Sequence, residues 1–160
     1  MIIKYRNYNM MNIDDIKNHI NNKSRLIGVD MGSKRIGLSI SDENRKIATP
    51  LKTINYENIQ VLVDELEKII NENIVHAIVF GNPKNMDGTE GSSSQSVKDK
   101  VKLISEKIKI PVFLWDERLS TIGAFNLSSQ LDVNVTKRVK NIDENAATFI
   151  LQGVLDFLNN

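Results

Sequence analysis

From Arg25 onward, apolar and polar positions recur in patterns that name the elements. Leu26-Ile27-Gly28-Val29 is apolar on both faces, as a central strand requires. Residues 31–35 turn the chain, after which Ile36, Leu38 and Ile40 interleave with Gly37, Ser39 and Ser41. That alternation predicts a second strand with one apolar face and one small, polar face, paired with the first as a hairpin. A third strand is expected over residues 47–54, where Pro50 confines it to an edge or a bulge. Ile59, Leu62, Val63, Leu66, Ile69 and Ile70 follow at three- and four-residue steps, the stripe of a helix packed on a sheet. Residues 74–80 read as a near-continuous apolar strand, followed by the loop GNPKNMDGTEG. A second helix, with Val97, Val101, Ile104 and Ile108 as its stripe, opens on Ser92-Ser93-Ser94, read as its cap. Pro111 to Trp115 makes the fifth strand and runs into Asp116-Glu117-Arg118. Helices over about 120–131 and 142–158 are expected beyond it, joined by a polar connection containing Thr136-Lys137-Arg138-Val139-Lys140.

The order is three strands in a meander, then helix, strand, helix, strand, helix, helix. It predicts an α/β fold built on a mixed five-stranded sheet, antiparallel at first and then parallel, with helices on both faces. Parallel strands joined by right-handed crossovers carry their sites at the carboxyl ends. Asp30 ends the first strand, Asp116 and Glu117 end the fifth, and the loop after Phe80 belongs to the same rim. Residues 1–24 show only a weak helical pattern through Ile13, Ile16 and Ile20. They read as an N-terminal extension to a domain covering 25–160, contributing charge rather than packing. The alternative is that these three isoleucines dock as a short amphipathic helix.

Composition narrows the classes. At 160 residues, 41% hydrophobic and 26% charged, the chain suits one soluble domain with a real core. It has no cysteine and only two histidines, which excludes disulfides, thiolate metal sites and a histidine-rich zinc site. No apolar stretch is long enough to span a bilayer, and charge interrupts the N-terminal segment before a secretory core develops, so a cytoplasmic protein without a membrane partner is expected. A net charge of +1 supplies no global attraction to nucleic acid; local basic clusters would have to hold such a partner.

The candidate chemistry is acidic. Asp143, Ala146, Ala147, Ile150 and Val154 share one helical face, which puts Asp143 in the first turn of the stripe expected to meet the sheet. Taken singly, Asp143 reads as a helix cap, Asp30 as a turn former and Asp116-Glu117-Arg118 as a surface ion-pair cluster. Taken together, acids from three distant parts of the chain converge on one rim beside small residues. Gathered carboxylates repel one another unless a cation lies between them, and oxygen-only ligands favour magnesium or manganese. Two such ions about 3.5 to 4 Å apart support phosphodiester hydrolysis.

GVDMGSKRIGLSISD, GNPKNMDGTEG, DERLST and NIDENAA, in that order over about residues 25–158, resemble the four signature blocks of the YqgF family of ribonuclease-H-like nucleases, also described as Holliday junction resolvases. The resemblance implies a ribonuclease-H-like fold and metal-dependent cleavage of a structured nucleic acid, with processing of the 16S ribosomal RNA precursor as the role and junction DNA as the alternative substrate. By motif position it carries Asp30, Glu117 and Asp143 over as the catalytic and metal-binding acids. A homodimer is compatible with this, since symmetric resolution of a junction needs two active sites.

Several neighbours suit nucleic-acid contacts. Lys34 and Arg35 lie on the turn beside Asp30, Lys84 and Asn85 on the rim loop, and Lys137, Arg138 and Lys140 form the densest basic run, suited to a backbone clamp. Asp87 reads as a turn residue, although it and Asp116 are the alternates for the acidic centre. Arg118 either binds the scissile phosphate or orients Glu117, with nothing to separate the two. Phe113 and Trp115 read as core. A nucleotide-binding loop is disfavoured because Leu38 stands where its lysine belongs and a hairpin follows in place of a helix. The actin-like ATPases open on a similar hairpin, yet they close ATP between two such domains. A non-catalytic binding module on the same fold is the other rival.

Overall fold

The computed structural model describes residues 11–21, 23–119 and 142–160, with the side chains of 142–144 outside that description. Six strands form one mixed sheet: β1 (Met11–Asn12), β2 (Arg25–Met31), β3 (Arg35–Ser41), β4 (Ala48–Asn55), β5 (Val75–Asn82) and β6 (Val112–Asp116). Their spatial order is β1-β6-β5-β2-β3-β4. β2, β3 and β4 are antiparallel neighbours, whereas β2–β5, β5–β6 and β1–β6 are parallel. The sheet therefore has one strand more than the five expected, because Met11–Asn12 pairs with Phe113–Leu114. Two residues are too few to leave a periodic signature.

β4 sits at the edge, and its register with β3 slips between Leu38 and Ser39, opposite Lys52 and Pro50. Both accommodations expected of Pro50 are thus used. Ile47 lies outside the strand, 62% exposed.

Three α-helices complete the described fold: α1 (Ile59–Asn73), α2 (Ser92–Lys107) and α3 (Ile142–Asn159). α1 is capped by the Asn58 side chain, which accepts from the Val61 amide, and it buries Leu62, Val63, Leu66 and Ile69. α2 buries Val97, Val101 and Ile104 against the same sheet face. Its cap is Gly91, without a side-chain bond, so the serine run is not the cap. Those serines form the first turn instead, and Ser94 points inward. The helix expected over 120–131 lies outside the described residues. No helix among the described residues is long and apolar enough to cross a membrane.

Strand alternation sorts the two cores. Ile27, Val29, Ile36, Leu38, Ile78, Phe80 and Val112 face α1 and α2. Leu26, Ala77, Val79, Phe113 and Trp115 face α3, whose Ile150, Leu151, Val154 and Leu155 close that side. The small face of β3 also turns toward α3, and this lets the helix lie close. A Cβ on Gly28 would sit 2.7 Å from Leu151 Cβ and 2.8 Å from the Ala147 carbonyl oxygen. The Ser39 hydroxyl donates to that same carbonyl at 2.7 Å, tying the helix to the sheet. Gly28→Ala is accordingly expected to push the helix outward and destabilise the fold by about 1–3 kcal/mol, measured by denaturant unfolding. An unchanged midpoint would mean that the helix has slack there.

The segment before Arg25 packs as well as charges. Residues Ile13–Asn18 form a 3-10 helix that buries Ile16 completely, with Met11, Ile13 and Ile20 against the α3-side core. The His19 ring lies 6.3 Å from that of Phe113, and the Lys17 ammonium sits 5.7 Å above the Phe157 ring. Of the two readings of this segment, the docked one is what residues 11–20 adopt.

Candidate active site

The carboxyl ends of β2, β5 and β6 share one rim, and the period of two decides which side chains meet there. Asp30 follows Val29 and falls on the α3 side with Gly28. Gly81 does so on β5, and Glu117, just past β6, continues the face of Phe113 and Trp115. The Glu117 amide donates to the Asn82 carbonyl at 3.1 Å, which extends the parallel ladder one residue beyond β6. Its side chain lies over Gly81, where a Cβ would collide with the Glu117 carboxylate and would stand 2.6 Å from Ile150 Cδ1. A glycine is needed here so that the glutamate can lie flat.

Asp30 and Glu117 meet carboxyl to carboxyl, a contact that becomes a hydrogen bond when one of the two is protonated. Burial, then the Asp30 charge and that hydrogen bond, and last the Asp116 charge, push Glu117 up from 4.5 to about 7. A carboxyl pair held this way is the arrangement that a divalent cation would relieve, since it replaces the shared proton with a stronger positive charge. The donor set is oxygen only, which suits hard ions. Among the described residues no third acid or histidine completes a metal-holding group with them. Asp143 occupies the second position of α3, and its side chain lies outside the described residues.

Neither alternate joins the pair. Asp116 lies one residue from Glu117 and so on the opposite face. There it accepts from Arg118 Nε at 3.0 Å to both oxygens, from Nη2 at 2.6 Å and from the Arg118 amide at 3.1 Å. These donors hold its carboxyl below the usual carboxylate range. Asp87 accepts from the Thr89 amide and hydroxyl at 2.9 and 2.6 Å, which is the turn role expected of it, and its pKa is lowered by those bonds. Arg118 therefore does not orient Glu117 directly; its carboxylate partner is Asp116.

The basic candidates are spread along the rim. Lys34 belongs to the β2–β3 turn, where its carbonyl accepts from the Tyr56 amide, and Arg35 begins β3, exposed. Lys84 follows Pro83 at the loop root, with its amide on the Asn82 carbonyl at 2.9 Å. Asn85 is exposed and bonds Thr89 through both its amide and its side chain. Lys137, Arg138 and Lys140 lie outside the described residues. Phe113 and Trp115 are buried core residues as expected.

Two residues that sequence reasoning passed over help to organise the site. Asn82 is 4% exposed, accepts the Ser94 hydroxyl at 2.5 Å and offers its carbonyl to both Glu117 and Lys84. An asparagine before proline at a strand end reads as loop, and a serine in a triple reads as a cap, so neither signalled a buried partner.

A model of the family described as RuvX, Holliday junction resolvase, matches residues 24–157. A protein of Pelagibacter ubique named "Putative pre-16S rRNA nuclease" is 62% identical over 151 residues, covering 94% of this chain and all of that one. A protein of the same name from Clostridium novyi is 38% identical over 132 residues, 82% of this chain and 98% of its own. Among solved structures, RuvC of T. thermophilus in complex with a Holliday junction substrate superposes with a TM-score of 0.54 at 10% identity, covering 84% of this chain and 96% of that one. At that identity the likeness concerns the fold, which is the ribonuclease-H-like one expected.

Proposed function

The chain belongs to the RuvX family, and from that premise we propose that it is a divalent-metal-dependent endonuclease hydrolysing phosphodiester bonds of structured nucleic acid, with the 16S ribosomal RNA precursor as substrate. The observation that carries this reading is the Asp30–Glu117 carboxyl pair, half-buried at the rim where the parallel strands end. Asp30, Glu117 and Asp143 would hold magnesium or manganese, two ions when substrate is present. Bound there, the metal supplies Lewis-acid stabilisation of the charge developing on the phosphoryl and leaving oxygens.

The chain's own residues do the rest. Gly81 and the Asn82 carbonyl set the position of Glu117, and Asp30 beside it helps to push the Glu117 carboxyl up. Lys34, Arg35, Lys84 and Asn85 offer contacts to the backbone on either side of the scissile phosphate. Junction DNA is the second reading, favoured by the description of the matching family. A cytoplasmic location follows from the precursor substrate.

Purified protein incubated with magnesium or manganese and matched precursor RNA, junction DNA and single strands tests the proposal. Cleavage of the precursor RNA supports it, preferential cleavage of the junction favours the second reading, and binding without cleavage leaves a non-catalytic module. The basic run is tested alongside. Replacing Lys137, Arg138 and Lys140 with alanine should weaken substrate binding and flatten its salt dependence by about 0.7–0.9 in slope for each phosphate no longer neutralised. An unchanged slope would make the run a bystander.

A further inference from the structure

Arg118 is anchored at one end and extended at the other. Its Nε, Nη2 and amide are all taken by Asp116, while Nη1 donates to the Met86 carbonyl at 3.4 Å. Gly88 lies against the same guanidinium: its φ of +87° would strain a side chain, and a Cβ there would stand in tight contact, 3.2 Å from Nη1. The loop is also tied within itself, from the Asn85 amide to the Thr89 carbonyl and from the Gly88 amide to the Asn85 carbonyl, both at 2.9 Å. At its root the Ser94–Asn82 bond fixes the residue whose carbonyl holds Glu117. Met86, 92% exposed, stands at the tip.

We propose that Arg118 is a positioning residue, a strut that fixes the 83–91 loop against the strand end carrying Glu117, with Asp116 as its anchor. Only what the loop is positioned over rests on the nuclease reading. The chemistry asks for arginine: a planar fork can engage a carboxylate through two nitrogens and still present a third donor to a carbonyl, which an ammonium cannot do at fixed geometry. The placement asks for an i, i+2 pair. The chain turns at Glu117 and is helical from Arg118, which brings the Arg118 amide and guanidinium onto the Asp116 carboxylate while Glu117 meets Asp30.

Arg118→Ala, Arg118→Lys, Asp116→Asn and the Asp116→Asn/Arg118→Ala double variant test this. In the free protein, hydrogen exchange of the Asn85, Gly88 and Thr89 amides should accelerate about tenfold or more in every single variant, with no further gain in the double. In cleavage assays, kcat/KM should fall about tenfold to a hundredfold, lysine should fail to rescue, and the salt slope of binding should match the unaltered protein. A slope lowered by about one, with lysine restoring affinity, would make Arg118 a phosphate ligand and overturn the proposal. Unchanged amide exchange, or a lowered thermal midpoint with kcat/KM intact, would also overturn it. Should the unaltered protein cleave nothing, the nuclease reading fails, and the exchange data still decide the strut.

Discussion

Asp30→Asn is expected to leave the fold standing while, with Asp30 holding metal as proposed, lowering phosphodiester cleavage by on the order of a thousandfold or more, since such a ligand would be worth several kcal/mol of transition-state stabilisation. Asparagine keeps the shape and removes the charge. The same change should alter how stability depends on pH. Glu117 titrates at about 7 in the folded protein against 4.5 as its ordinary value. A raised folded pKa contributes stability that is fully present below about pH 4.5 and is lost as the pH rises through about 7. Above that point the metal-free protein holds two neighbouring charges. Removing the Asp30 charge relieves part of this, on the order of 1 kcal/mol once solvent screening is counted, so the variant should melt higher than the parent at pH 8 in chelator. At pH 4 the advantage should vanish. Cleavage at the parental rate would remove Asp30 from the mechanism, and a pH-independent difference in melting would show that the two carboxyls do not interact. Glu117→Gln should match it in activity.

The second large effect concerns Ile16, which has no exposed surface. Ile16→Ala should destabilise the protein by about 2–5 kcal/mol through reduced burial and the cavity left behind. At roughly 2–4 °C per kcal/mol for a chain of this size, that is a fall of about 4–20 °C in thermal midpoint. Deleting residues 1–20 should cost more, because β1 and the ring interactions of His19 and Lys17 go with it. This reverses the expectation from sequence, in which the core folds without the extension. A truncated protein melting at the parental temperature would restore it.

That reversal shows where the sequence is legible. Strands and helices whose burial repeats over five or more residues could be read directly: β2, β3, β5, α1 and the stripe of α3 all appear at their expected places. So could Asp30 and Glu117, because a strand end fixes both their level and their face. The 3-10 helix could not. Its six residues offer one buried position, and the cluster that Ile16 joins draws mostly on strands and on α3 far along the chain, Phe113 and Leu151 among them. Arg118 is an intermediate case. Its bond to Asp116 arises where the chain turns at Glu117 and becomes helical, the Arg118 amide meeting the Asp116 carboxylate two residues back, and a strand-end Asp-Glu-Arg run does not say which acid the arginine takes.

The pairing of Met11–Asn12 with Phe113–Leu114 has a consequence for the order in which the protein assembles. It closes a loop of about a hundred residues, so its entropic cost must be met before its short ladder returns anything, and it should be among the last events of folding. Until then β6 has one bare edge. The strand leading to Glu117 would spend that interval as an open template for strands of other chains, while the residues that cover it, though made first, wait for it to arrive.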